Sequence, residues 1–326
     1  MGSGPADREQ GGLAAAPPGQ EAAGQRAHLG HRAWLAAGRR SAAEFRRDCL
    51  PDRAATLTYY GILAIFPGLL VLVSLLGLLG KPATQPLINN LTAAAPASVR
   101  HTILTAVTHL QSNHSDAGVL AVVGIATGLW SASSYVAAFM RASNVIYDVP
   151  EGRPAWKTMP IRLGITLTLI VLTVASAVIV VVTGGVARHV GQVLGIGSAA
   201  VTAWDIAKWP VLLVIFSVML AILYWASPNA RHRFRFVTPG GTLAIAAWLI
   251  ASGLFALYSA NFANYNKVYG SIAGVIVFLV WLWLSNLAIL LGAEFNAELE
   301  RGRAIAGGAP ADTEPFVELR DRRRLP

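Results

Sequence analysis

The sequence predicts an all-α, polytopic integral membrane protein of about six transmembrane helices, with both ends on the cytoplasmic side. Three observations predict it. Only 13% of its 326 residues are charged and 54% are hydrophobic, against about 25% charged in an ordinary water-soluble domain. Six apolar runs reach the roughly 20 residues that a helix needs to cross a hydrocarbon core. The Lys and Arg residues also concentrate in alternate connecting segments, the pattern that orients a chain with its basic loops inside.

Residues 1–30, rich in Gly, Ala, Pro and Gln, show no apolar period and read as a disordered cytoplasmic tail. Over 31–53 the pattern becomes helical: Trp34, Ala42, Phe45 and Cys49 recur at three- and four-residue steps, with Arg39, Arg46 and Arg47 on another face. Such an amphipathic helix either lies along an anionic membrane surface or packs on the protein's own cytoplasmic face. The region 54–300 then holds six spans, at about 55–79, 117–140, 161–183, 209–226, 239–262 and 271–294, none with a charge in its middle. The first run is too long for the apolar part of a cleaved signal peptide, so it is expected to be an uncleaved span. The fourth is the shortest, and Pro210 suits its first helical turn. Residues 301–326 form a basic cytoplasmic tail. Two external segments exceed simple turns; 81–116 reads as two short amphipathic helices broken at Pro96, and 184–208 is similar but richer in glycine.

The segment before the first span, the 141–162 and 227–238 loops and the C-terminal tail together hold 21 of the 26 cations. The formal charge of +9 is therefore a topology signal, and no nucleic-acid partner is expected. One cysteine, Cys49, excludes an internal disulfide and a thiolate metal cage. The hydrolase, zincin and phosphate-loop signatures are missing, and Gly195, Gly197 and Ala200 imitate a dinucleotide fingerprint without the strand it requires. No catalytic residue, metal site or cofactor is predicted.

Candidates for lining a substrate path are polar or aromatic residues in the spans. In the second span Trp130, Ser131, Ser134 and Tyr135 set hydroxyls beside aromatics, downstream of a Gly124–Gly128 pair; small residues of this kind also simply pack helices. Asn261, Asn264, Tyr265, Asn266 and Tyr269 crowd the outer junction of the last two spans, where they either anchor the interface or line a hydrated cavity. Tyr59 and Tyr60 precede Pro67 in the first span, where the proline can kink the helix. Asn286 lies mid-membrane in the last span. Glu294, near its inner boundary, is expected to pair with Arg141 or Arg53.

These stretches resemble the YihY/BrkB family of bacterial inner-membrane proteins, long labelled "ribonuclease BN". The matching segments are 55–67 (ATLTYYGILAIFP), 129–147 (LWSASSYVAAFMRASNVIY), 239–248 (PGGTLAIAAW), 252–270 (SGLFALYSANFANYNKVYG) and 281–300 (WLWLSNLAILLGAEFNAELE). The resemblance covers about 40–302. It implies six helices, a bacterial plasma (inner) membrane location and an activity often guessed to be transport. The ribonuclease label does not carry over, because zinc-dependent RNA-processing hydrolases share a His-x-His-x-Asp-His cluster that this chain lacks.

The expected function is therefore a transporter or lipid-handling protein whose partners are the bilayer and a lipid or small amphiphile. The alternative is a non-catalytic scaffold for envelope assembly. Nothing in the sequence sets an oligomeric state.

Overall fold

The computed structural model describes residues 31–78, 114–181, 198–261 and 266–323; side chains are not described at 31–32, 66–78, 114–121, 259–261 and 266–273, or at 181, 198 and 200. Among these residues the chain forms seven α-helices: α1 (His31–Arg47), α2 (Leu50–Leu78), α3 (His114–Ile146), α4 (Ala155–Val181), α5 (Ser198–Ala226), α6 (Pro239–Asn261) and α7 (Asn266–Ala306). The protein is all-helical. Five helices are long and apolar enough to cross a membrane, over Val122–Ile146, Ala155–Val180, Val201–Ala226, Pro239–Tyr258 and Gly274–Ala306, while α2 carries the first predicted span. The tail 1–30, the segment 79–113 with its two expected amphipathic helices, and 182–197 lie outside the described residues.

Local chemistry sets the helix ends. Thr238 caps α6 by accepting the Gly241 N–H at 3.0 Å, and Pro239 occupies the first helical position, where its missing N–H costs nothing. The continuous helix expected over 31–53 divides at Cys49, whose φ of 50° turns the chain between α1 and α2. Arg46 and Arg47 close α1 and Asp52 opens α2, each charge complementing its helix dipole.

Pro210 does not open the fourth span. The structure starts α5 twelve residues upstream, at Ser198, with Pro210 in its interior. Asp205 and Lys208, in the stretch the sequence reads as an external segment, neutralise one another across one turn at 3.0 Å, and the helix passes through. A proline removes a single intrahelical bond, and its long apolar neighbours keep the rest.

The bundle is organised around α7, which packs against α6, α2, α1 and α3; α2 and α3 form a second close pair, and α4 joins α5 and α3 at the side. At about 1.5 Å per residue its 41 residues span about 60 Å, twice a hydrocarbon core. The projecting end receives α1: Arg40 binds the Glu298 carboxylate and its carbonyl, Ala37 and Ser41 are buried, and Trp34 lies 6.0 Å from Phe295. α1 thus packs on the protein's own end, with Trp34 and Leu35 left exposed.

The C-terminal residues are not a free tail. Residues 301–306 continue α7, and 310–323 fold back as a strap over the same end, which we call the basic end. Leu319 forms a β-bridge with Ala230, Arg231 N–H donates to Glu318 C=O at 2.8 Å, and Phe316 stacks on Tyr147.

Burial follows one axis. Leu50, Leu57, Phe139, Leu220, Tyr224 and Leu290 form the core, all in the half of the bundle near the basic end. In the other half Ile125, Val171, Val214, Leu254 and Val275 are exposed. So much outward apolar surface suits hydrocarbon as the solvent.

Candidate functional site

A polar ladder crosses the middle of the bundle. Asn286, only 2% exposed, donates from Nδ2 to Thr58 Oγ1 on α2 at 3.1 Å, and its Oδ1 accepts the Tyr135 O–H from α3 at 2.8 Å. Thr58 passes its own proton to the Ala54 carbonyl at 2.8 Å. The ladder joins three helices with its donors and acceptors matched, which is the condition for burying an amide in apolar surroundings. Of the predicted candidates, Tyr135 and Asn286 thus meet directly, and Tyr60 packs against the core beside them. Tyr59 is 61% exposed and touches Tyr60 edge-on; Trp130 is 70% exposed.

The serine stripe behaves differently from its sequence reading. Ser134 bonds back to the Trp130 carbonyl of its own helix at 2.9 Å, and Ser131 is half-buried. The serine that bonds across is Ser133, which accepts from Arg162 Nε on α4 at 2.7 Å. A one-residue offset on a helix turns a side chain by about 100°, so the stripe's face decided the outcome. Pro67, Asn261, Asn266 and Tyr269 are placed in helices by their backbones alone, and Asn264 and Tyr265 lie outside the described residues.

Glu294 forms neither expected pair. Arg53 is turned to the Asp48 carbonyl at 2.7 Å and Arg141 is exposed. Glu294 is 1% exposed, and among the described residues its Oε2 has no hydrogen-bond partner. The α1–α2 turn brings Asp48 and Glu44 toward it, with Asp148 and Glu298 also near. Outside the spans, burial and then the neighbouring Asp148 and Glu44 push the Asp48 carboxyl up to about 6.

At the basic end, a second network was not singled out in the sequence. Asn229 is completely buried: its N–H donates to Asn144 Oδ1 at 2.8 Å, its Nδ2 to the Pro150 and Asp321 carbonyls at 3.0 and 2.9 Å, and its Oδ1 accepts Asp321 N–H at 3.1 Å. Arg153, also buried, forks onto Glu151 and donates to the Ser227 carbonyl at 2.8 Å. Burial pushes the Glu151 carboxyl up, but bonds from Arg153 and Asn144 outweigh it and leave it below its usual range. The signal for this site was its polarity between spans, which looks the same as a solvated loop.

The other half of the bundle offers space. Ser252, Phe255 and Ala256 of α6 and Gly274, Val277, Phe278 and Trp281 of α7 line a groove of about 350 Å³. Its floor continues as aromatic contacts from Phe278 through Trp281 and Trp248 to Phe216, at 5.5–6.4 Å between ring centres. Indole N–H groups tie it together, Trp281 to Ser252 Oγ at 3.2 Å and Trp248 to Ser285 Oγ at 3.1 Å. Among the described residues no charged side chain lines it. Among the described residues no three His, Cys, Asp or Glu side chains converge to hold a metal ion.

Long apolar helices around an interior polar ladder define a polytopic α-helical membrane protein. More closely, the chain belongs to the BrkB family: the profile described as "Virulence factor BrkB" matches residues 41–315. It is 31% identical over 259 residues to a Bacillus subtilis protein whose name describes it as ribonuclease-like (YfkH), covering 79% of this chain and 93% of that one. It is 32% and 31% identical to UPF0761 membrane proteins of Alkalilimnicola ehrlichii and Chromohalobacter salexigens, over 79% and 77% of this chain. This chain spans only 57% and 60% of those two relatives. No solved structure matches the chain.

Proposed function

We propose that the protein is a carrier for a lipid or small amphiphile in the bacterial plasma membrane, with the basic end in the cytoplasm, and that it is not an enzyme. The observation that carries the reading is the uncharged, aromatic-floored groove between α6 and α7, in the half of the bundle that exposes its apolar side chains. A groove of this lining accepts an acyl chain or other apolar tail and gives no foothold to a bare ion, whose desolvation would go uncompensated. The cationic loops and strap at the opposite end support the orientation.

Reconstitution into vesicles with a lipid-scrambling and solute-flux panel tests it. Transfer by the wild type should exceed that of empty vesicles, and Ala256→Trp, which fills the groove, should remove it. Val122→Trp, on an exposed position of α3, should leave it intact. Wild-type vesicles that match empty ones would overturn the carrier reading. The second reading, a membrane scaffold, is favoured by α1, which leaves Trp34 and Leu35 exposed on a helix already fixed to α7. It gains if partner capture survives Ala256→Trp and fails in Trp34→Ala/Leu35→Ala.

A further inference from the structure

The strap builds a feature that the groove does not use. Residues 319–323 pass over the first turn of α4 and form with Lys157 an open surface pocket of about 480 Å³ lined by Lys157, Leu319, Arg320, Asp321, Arg322 and Arg323. Four cations face a single carboxylate there. That carboxylate is already engaged, by Lys157 and by the Arg323 N–H at 3.0 Å. Arg320 spends one N–H on the Trp225 carbonyl at 2.7 Å and lies 5.2 Å over the Trp225 ring; among the described residues neither it nor Arg322 forms an ion pair. The positive charge is therefore in surplus.

The depth of the pocket is a separate observation. The α4 span begins at Ala155 and the α5 span ends at Ala226, so Lys157 and Trp225 lie in the end turns of two helices long and apolar enough to cross a membrane. Trp156, 65% exposed, and Phe236 face outward beside them, as aromatic side chains do at headgroup level. Farther along α4, Met159 and Leu167 are exposed and apolar.

We propose that this pocket binds the phosphate of an anionic phospholipid, whose acyl chains lie along α4 past Trp156. Guanidinium groups match phosphate oxygens in pairs, and basic pockets at membrane ends hold anionic headgroups. A zwitterionic headgroup would bring its own cation toward Arg322 and Arg323. Free phosphate shares the oxygen chemistry but makes no use of the aromatic edge. The site stands independently of the carrier reading, because it lies at the opposite end from the groove and could be occupied by a resident lipid.

The test uses the full chain in nanodiscs of phosphatidylcholine with a minor share of phosphatidylglycerol, counting retained lipids by native mass spectrometry. The wild type should retain phosphatidylglycerol preferentially. Arg322→Gln/Arg323→Gln, on exposed side chains, should lower that retention about fivefold per arginine, while Arg39→Gln/Arg46→Gln on α1 should leave it unchanged. No preference in the wild type, or an equal loss in both double variants, overturns the site. Binding of inorganic phosphate that depends on Arg322 and Arg323, with phosphatidylglycerol retention unchanged by their removal, overturns the lipid assignment. Failure here leaves vesicle transfer and its Ala256→Trp sensitivity standing, so the two proposals fall separately.

Discussion

The two ends of α6 and α7 are built on opposite principles. Near the basic end, Gly240 and Gly292 let the two backbones touch: a Cβ on Gly292 would sit 2.4 Å from the Gly240 carbonyl, and one on Gly240 would meet the Gly292 carbonyl at 1.9 Å. Asn296 then accepts the Gly240 N–H at 2.8 Å and donates to Thr238 Oγ1 at 3.0 Å. Toward the other end, Gly253 and Gly274 have nothing within reach among the described residues, and the helices part around the groove. The same residue type closes one end and opens the other. What differs is the partner across the gap, and the result is a locked base carrying a loosely packed upper half.

The largest effect that sharpens this contrast is expected at Arg153. Arg153→Met keeps the volume but removes the guanidinium from Glu151, which keeps its Asn144 bond and is partly exposed, and from the Ser227 carbonyl, a loss of charge-assisted bonds that costs about 3 kcal/mol. Thermal melting in detergent should show the base failing as a unit. Next comes Gly292→Val, where overpacking against backbone costs about 1–3 kcal/mol. Gly253→Ala in the open half should instead be neutral or stabilising by up to about 1 kcal/mol, through helix propensity alone. Equal melting shifts in Gly292→Val and Gly253→Ala would erase the distinction between the halves.

Smaller again, Tyr135→Phe removes one bond of the ladder and should cost about 0.5–1.5 kcal/mol. Asn286→Leu should cost more than Tyr135→Phe, since it leaves the Tyr135 hydroxyl without its acceptor and takes a donor from Thr58, which keeps its bond to Ala54; a loss in vesicle transfer larger than in melting would assign the ladder to the carrier. The smallest effect is a pH dependence at Asp48. Its folded pKa of about 6 lies above the ordinary carboxylate value of 3.8, so the folded state binds the proton more tightly. The contribution is complete below about pH 4 and is lost as the pH rises through about 6. Asp48→Asn should therefore melt higher than the wild type at pH 7, by under about 1 kcal/mol because the carboxyl is partly solvated, and match it at pH 4.

Much of the fold was legible because hydrocarbon imposes a simple rule on sequence. Each predicted span overlaps a described long helix, since an apolar run of that length has only one way to satisfy its backbone in lipid. Misreadings arose where polar residues met the boundary. Pro210 and the Asp205–Lys208 pair imitate a helix start, and only their mutual neutralisation inside α5 corrects it. The site was half legible. Asn286 and Tyr135 stood out as polar residues in apolar runs, whereas Thr58 and Ser133 are common in any helix, and only packing selects them. Asn144, Arg153 and Asn229 were least visible: their partners sit on other loops, and for Asn229 on the strap, far away along the chain.

That separation also sets a timetable. Asn229 leaves the ribosome 92 residues before Asp321, whose backbone satisfies its amide. Throughout that interval the half-made protein must hold an open seam beside Gly152, a position with room for no side chain once Asp321 arrives. Helices insert early and locally, but closing a loop of this length is slow. The basic end can therefore close only after residue 321 has been made.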